Sequence, residues 1–115
     1  MKLLCSVALA LAMLIQPTSS RAEDVLYAGL GALTCGQISE MYRQNPSVVE
    51  AVMMSWSQGF MSGVNVSIAK NVGHRDLGGI MVDVQKTSLR NYCNDHPLAE
   101  FWEAVMDLYN KFPVK

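Results

Sequence analysis

The residues best suited to covalent or acid–base chemistry are three cysteines, Cys5, Cys35 and Cys93, and two histidines, His74 and His96. A thiolate attacks carbon or binds metal, and an imidazole moves protons near neutrality. His74 stands beside Arg75 and Asp76 with no second His or Cys at ligand spacing, so it reads as a surface or capping residue. His96 precedes Pro97 and reads as a local cap, with a pH-titrating switch as the other reading. No serine lies in a Gly-x-Ser-x-Gly elbow. Gly78-Gly79 lacks the Lys-Ser/Thr that completes a phosphate loop. Glu100 and Glu103 stand at helical spacing and read as a solvated face. Asn65-Val66-Ser67 matches a glycosylation pattern but falls inside an expected helix. The chain therefore reads as a non-enzyme with no metal and no cofactor.

The cysteines are best judged after the N-terminus. Lys2 precedes an apolar run, Leu3 to Ile15, broken only by Ser6. That run is shorter than the roughly 20 residues that cross a bilayer. Gln16-Pro17-Thr18-Ser19-Ser20 ends it, and Ser20-Arg21-Ala22 offers small residues for a signal peptidase. Residues 1–22 read as a secretory signal peptide cut after Ala22, with an uncleaved anchor as the alternative. Removing 22 of 115 residues leaves 93. Losing Lys2 and Arg21 takes nine basic residues to seven against ten acidic, a mature charge of −3. That balance argues against nucleic acid as a partner, since phosphate binding needs a basic surplus. The mature form is expected in the periplasm or secreted, with no membrane span. Cys5 leaves with the signal, and Cys35 and Cys93 remain. An even pair in an exported chain reads as a disulfide, two buried thiols or a partial metal site being the alternatives. Spanning 58 positions, such a bond is worth about 4 kcal/mol by chain entropy.

Helices must position these residues. Residues 23–33 have no firm period, and Gly29 and Gly31 loosen them; they read as a mobile N-terminal segment, at most with a short helical turn. Residues 34–115 form the helical domain. Thr34-Cys35-Gly36-Gln37 fits a capping box and opens a helix that carries Cys35, Ile38 and Tyr42 and stops near Asn45. Asn45-Pro46 opens the second, with Val49, Val52 or Met53, Trp56, Phe60, Val64 and Ile68 at spacings of three and four. It is expected to run to about Lys70 and end near Asn71-Val72-Gly73. Met81, Val84, Leu89, Tyr92 and Cys93 suit a third helix over about 80–94. Pro97 opens a fourth, with Leu98, Phe101, Val105, Leu108 and Phe112 inward, Trp102 and Tyr109 beside them, and Pro113 as its stop. No stretch alternates with period two. The fold class is all-α: a small disulfide-linked bundle of about four helices.

Two features suggest a binding surface. Ser55, Gly59, Gly63 and Ser67 make a row of small residues on the second helix, read as close packing against another helix of the domain or as a self-association face. The mature chain also holds six methionines, Met41, Met53, Met54, Met61, Met81 and Met106, adaptable side chains that fill cores and recur at promiscuous surfaces. The candidate partner-binding residues are Met53, Trp56, Gly59, Phe60, Gly63 and Trp102, and the partners are other proteins, with a homodimer among them.

Thr34-Cys35-Gly36-Gln37 and Tyr92-Cys93-Asn94-Asp95-His96-Pro97 together resemble the two cysteine motifs of the HdeA/HdeB family of periplasmic acid-stress chaperones. The layout covers roughly residues 34–112. The resemblance implies a disulfide between Cys35 and Cys93 and a protein that exposes apolar helix faces at low pH to hold unfolding clients. At about pH 2 the mature charge rises to about +9 as carboxyls protonate and both histidines charge. The block Trp56 to Asn65 looks more like the Tai/Rap-type immunity proteins, which neutralise type VI secretion effectors. That second resemblance implies one specific effector as partner.

Overall fold

The computed structural model describes residues 25–68 and 72–115. The expected signal peptide, and Cys5 within it, lie outside those residues. A short 3-10 turn, Gly29–Ala32, leads into four helices: α1 Cys35–Gln44, α2 Pro46–Ser67, α3 Val82–Asp95 and α4 Phe101–Lys111. No strand occurs among the described residues; two isolated bridges pair Thr34 with Glu100 and Arg75 with Val114. The all-α expectation is met.

The start of α1 is where the fold is knotted together. A helix leaves its first N–H groups without partners. Here all four are satisfied. Gln37 Oε1 accepts the Thr34 N–H at 2.9 Å, and Thr34 Oγ1 accepts the Gln37 N–H at 3.2 Å, which is the expected capping box. The other two N–H groups reach across the molecule: Cys35 donates to the Ala99 carbonyl at 2.7 Å and Gly36 to the Pro97 carbonyl at 2.8 Å. A Cβ on Gly36 would sit 3.2 Å from that carbonyl, tighter than an ordinary contact, so glycine lets the two backbones approach without displacement. Cys35 and Cys93 form a disulfide at the same point, with Cα atoms 4.6 Å apart, tying the start of α1 to the end of α3.

This crossing corrects the expected start of the last helix. Pro97 does not open it; α4 begins at Phe101. Residues 97–100 stay non-helical because the Pro97 and Ala99 carbonyls serve α1, while the Phe101 N–H donates to Leu33 O at 2.8 Å. Leu98, expected in the core, is 91% exposed. Likewise α3 starts at Val82, two residues later than expected, and Met81 and Val84 face solvent. The expected end of α2 near Lys70 lies outside the described residues, and the helix as described ends at Ser67.

The core joins one face from each helix. Ile38 of α1, Val49, Met53, Met54 and Met61 of α2, Leu89 of α3, and Phe101, Val105 and Leu108 of α4 are buried together around the disulfide. Full burial of a side chain such as Phe101 contributes about 1.5–3 kcal/mol. Ser57, the one polar residue on the buried α2 face, donates to Met53 O at 2.6 Å and so leaves no orphaned hydroxyl. Val52 lies outside this face and is exposed.

The far end of the bundle is closed by polar groups. Asn65 binds Arg75 twice, its Nδ2 donating to Arg75 O at 2.8 Å and its Oδ1 accepting the Arg75 N–H at 3.0 Å. The same Oδ1 accepts the Tyr109 hydroxyl at 2.7 Å. The Asn65 amide is thus committed to internal bonds. Arg75 Nη1 donates to the Phe112 carbonyl at 2.8 Å, capping the C-terminus of α4 where the helix dipole favours a cation. Asp76 N and Lys115 N add backbone bonds to Pro113 O and His74 O.

Candidate functional site

The site is built where the N-terminal segment meets α2 and α4. Residues 25–33, expected to be mobile, carry defined tertiary contacts. Leu30 is buried. Trp56 of α2 donates its indole N–H to Ala28 O at 2.9 Å, and its ring lies over Gly31 so closely that a Cβ there would fall 2.0 Å from the indole. Gly29 has φ +73°, a left-handed conformation that glycine adopts freely. The two glycines that suggest looseness in the sequence are therefore what allow the chain to lie flat against an indole. Trp56 also stacks on Phe60 at 4.9 Å and meets Phe101 at 6.0 Å between centroids.

Glu100 fastens the other side of this strap. Its Oε2 accepts hydrogen bonds from the Tyr27 hydroxyl and, at 2.9 Å, from the Trp102 indole N–H. The Tyr27 and Trp102 rings pack at 5.4 Å. The two donors, Tyr27 first, hold the Glu100 carboxyl below its ordinary value; Glu100 in turn raises the Tyr27 hydroxyl above its own. Glu103 accepts the Glu100 backbone N–H at 2.8 Å at the start of α4. Neither carboxylate belongs to the plain solvated face that their spacing suggests.

Beside the strap, α2 presents an outward face. Val48, Val52, Ser55, Gly59, Gly63 and Val66 are all exposed. Among the described residues, nothing lies within 4 Å of a Cβ built on Gly59 or Gly63. The expected packing of this small-residue row against another helix of the domain is therefore not found; the row faces outward. From Pro46 to Ser67 the helix carries one charged residue, Glu50, which pairs with Lys86 at 3.1 Å. A groove of about 380 Å³ runs between this face and the strap, lined by Leu26, Tyr27, Ala28, Ser55, Trp56 and Phe60 among others. Leu26 is 89% exposed at its edge.

The six candidate partner-binding residues thus divide. Trp56, Gly59 and Phe60 line the groove, and Gly63 continues the outward face. Trp102 lies under Tyr27 on the other side of the strap. Met53 is only 2% exposed and belongs to the core. Leu26 and Tyr27 join the site without having been singled out, and Glu100 joins it after reading as part of a solvated face; for Tyr27 the signal available was the aromatic–glycine run Tyr27 to Gly31. His74 is exposed, and its carbonyl accepts the Lys115 N–H. His96 follows α3, stacks on Tyr92 at 4.2 Å and places Nδ1 3.0 Å from Tyr92 O, a local C-terminal cap. No group of three or more His, Cys, Asp or Glu that could hold a metal occurs among the described residues. No helix among them is long and apolar enough to cross a membrane. Comparison with family models, with curated proteins and with solved structures gives no match.

Proposed function

We propose that this chain is an exported, non-enzymatic protein-binding module of the acid-stress chaperone type, which uncovers aromatic surface at low pH to hold unfolding proteins. The observation that carries this reading is the fastening of residues 25–33 by a single carboxylate. Glu100 faces Tyr27 from the strap and Trp102 and Glu103 from its own helix, and it takes part in no ion pair among the described residues. Because its folded value lies below the ordinary 4.5, its stabilisation is complete above that pH and is lost as pH falls through the lower folded value. Protonation then exchanges two charge-assisted bonds for weaker neutral ones. Over the same interval the rising positive charge loosens the domain, and the strap uncovers Trp56, Phe60 and Trp102. The disulfide limits how far the loosened chain expands.

The test is a client-aggregation assay from about pH 7 to about pH 2, run beside binding of an apolar dye. Dye binding and suppression of aggregation should rise together below the carboxylate range. A protein that binds no dye and protects no client at low pH removes the proposal. A specific observation favours the immunity reading as well: the neutral outward face of α2 is displayed with the strap closed. That reading expects one tight partner at neutral pH and no general anti-aggregation effect, and a neutral-pH pull-down separates the two.

A further inference from the structure

We infer that the groove between α1 and α3 binds a carboxylate attached to a short apolar group. This groove, of about 390 Å³, lies away from the strap and is independent of the proposed function. Its lining includes Tyr42 and Arg43 of α1, Arg90, Asn91 and Asn94 of α3, and Met53 behind them. Two arginines and two asparagines contribute and no carboxylate does, in a chain whose acidic residues outnumber its basic ones by ten to nine.

The two arginines are not equivalent. Arg43 pairs with Glu40 one turn away on the exposed side of α1, a contact of little energetic weight. Arg90 is half-buried and takes part in no ion pair among the described residues; Lys86, one turn earlier, takes Glu50 instead. Arg90 Nη1 donates to the Tyr42 hydroxyl at 2.7 Å, and the guanidinium stands 5.4 Å from the Tyr42 ring centroid. Its Nε is buried with no hydrogen-bond partner among the described residues. A cation withdrawn from water needs an anion or a full set of acceptors, and a ring face and one phenol supply part of that. A carboxylate in the groove supplies the anion, its two oxygens matching guanidinium N–H groups other than the enclosed Nε. The volume is at the small end for ligand sites, which suits a short acid or the last residue of a chain rather than a folded surface. The apolar backing by Met53 and the Tyr42 ring suits an alkyl group next to the acid.

Hexanoate and N-acetyl-Ala-Leu with a free C-terminus represent the two sources of such a group. Hexanamide and the C-terminally amidated peptide are their neutral controls. NMR of the oxidised protein reads the Arg90 Nε–H resonance and the Asn91 and Asn94 amides. One or both acids should give saturable shifts and the amides none; whichever acid saturates at lower concentration identifies the source. R90Q should weaken binding at least about tenfold. Y42F keeps the ring, frees one Arg90 donor and should bind at least as tightly as the native protein, an outcome that a purely structural Arg90–Tyr42 contact does not give. Equal shifts from acids and amides, no shift from either acid, native-strength binding by R90Q, or loss of binding in a folded Y42F would overturn the inference.

Discussion

Residues 25–33 and residues 112–115 both run as irregular straps across the helices, but different chemistry fastens them. The N-terminal strap depends on Glu100, which accepts from Tyr27 and Trp102, and on one indole N–H from Trp56. The C-terminal strap depends on Arg75, on the uncharged amide of Asn65 and on backbone bonds to Asp76 and His74. A guanidinium keeps its charge at every pH a protein meets, and an amide has none to lose. Asp76 does titrate there: the Gly78 N–H, then Lys115 at 3.3 Å, hold it below its ordinary value. That contact lies at the surface, and the arginine and amide bonds persist without it. Acid therefore acts on one strap and largely spares the other. In the proposed acid response, the position of a carboxylate, more than the number of bonds, decides which end of the molecule opens.

Four sets of substitutions break or sharpen this comparison. The largest effect is expected from Cys35→Ser together with Cys93→Ser, at about 4 kcal/mol from the lost constraint across 58 positions. Denaturant midpoints measure it, and both straps should weaken together. Next, Asn65→Ala removes three bonds and leaves the Arg75 backbone and the Tyr109 hydroxyl short of partners, at about 2–3 kcal/mol. Hydrogen exchange should show residues 72–81 and 112–115 opening while the N-terminal strap stays protected. Third, Gly59→Ala and Gly63→Ala should each raise stability by about 0.5–1 kcal/mol, since both sit inside a helix with open space where a Cβ would lie. If a partner backbone docks on this face, the same changes weaken its binding while thermal stability rises. The smallest change at neutral pH is expected from Glu100→Gln, whose amide oxygen still accepts from Tyr27 and Trp102. Its effect appears on acidification: tryptophan fluorescence of the strap should lose its transition below about pH 4.5. An unchanged transition would place the acid response elsewhere.

Local signals in the sequence proved dependable. The Thr34–Gln37 capping box, the Asn45-Pro46 restart and the cysteine pair each concern neighbouring residues or residue type alone, and each is found as expected. What the sequence hid arises from contacts between distant segments. Pro97 looks like a helix start, and nothing local shows that its carbonyl will be taken by Gly36. Gly29 and Gly31 look like flexibility until Trp56 lies over them. Met81 and Leu98 fit the periodicity yet remain outside, because the elements begin later than the pattern suggests, and Val84 in the first turn of α3 is exposed as well. The small-residue row on α2 was legible as a face, but which side of the helix would be covered was set by Met53, Ser57 and Met61 packing inward.

The disulfide also gives the chain a shape as a connected object. Residues 35 to 93 form a covalent ring that contains α1, α2, α3 and the 72–81 loop, while the N-terminal strap and α4 hang from it as two tails. A proteolytic cut in the 72–81 loop leaves the fragments joined until a reductant is added. A cut between the ring and α4, after residue 93, severs the tail that carries Glu100, Phe101 and Trp102. The groups that fasten the N-terminal strap are thus divided between the ring, which supplies Trp56, and a tail outside it, which supplies Glu100. In the proposed acid response the two tails part from each other with no covalent bond opened, and the closed ring gives them a fixed frame to return to on neutralisation.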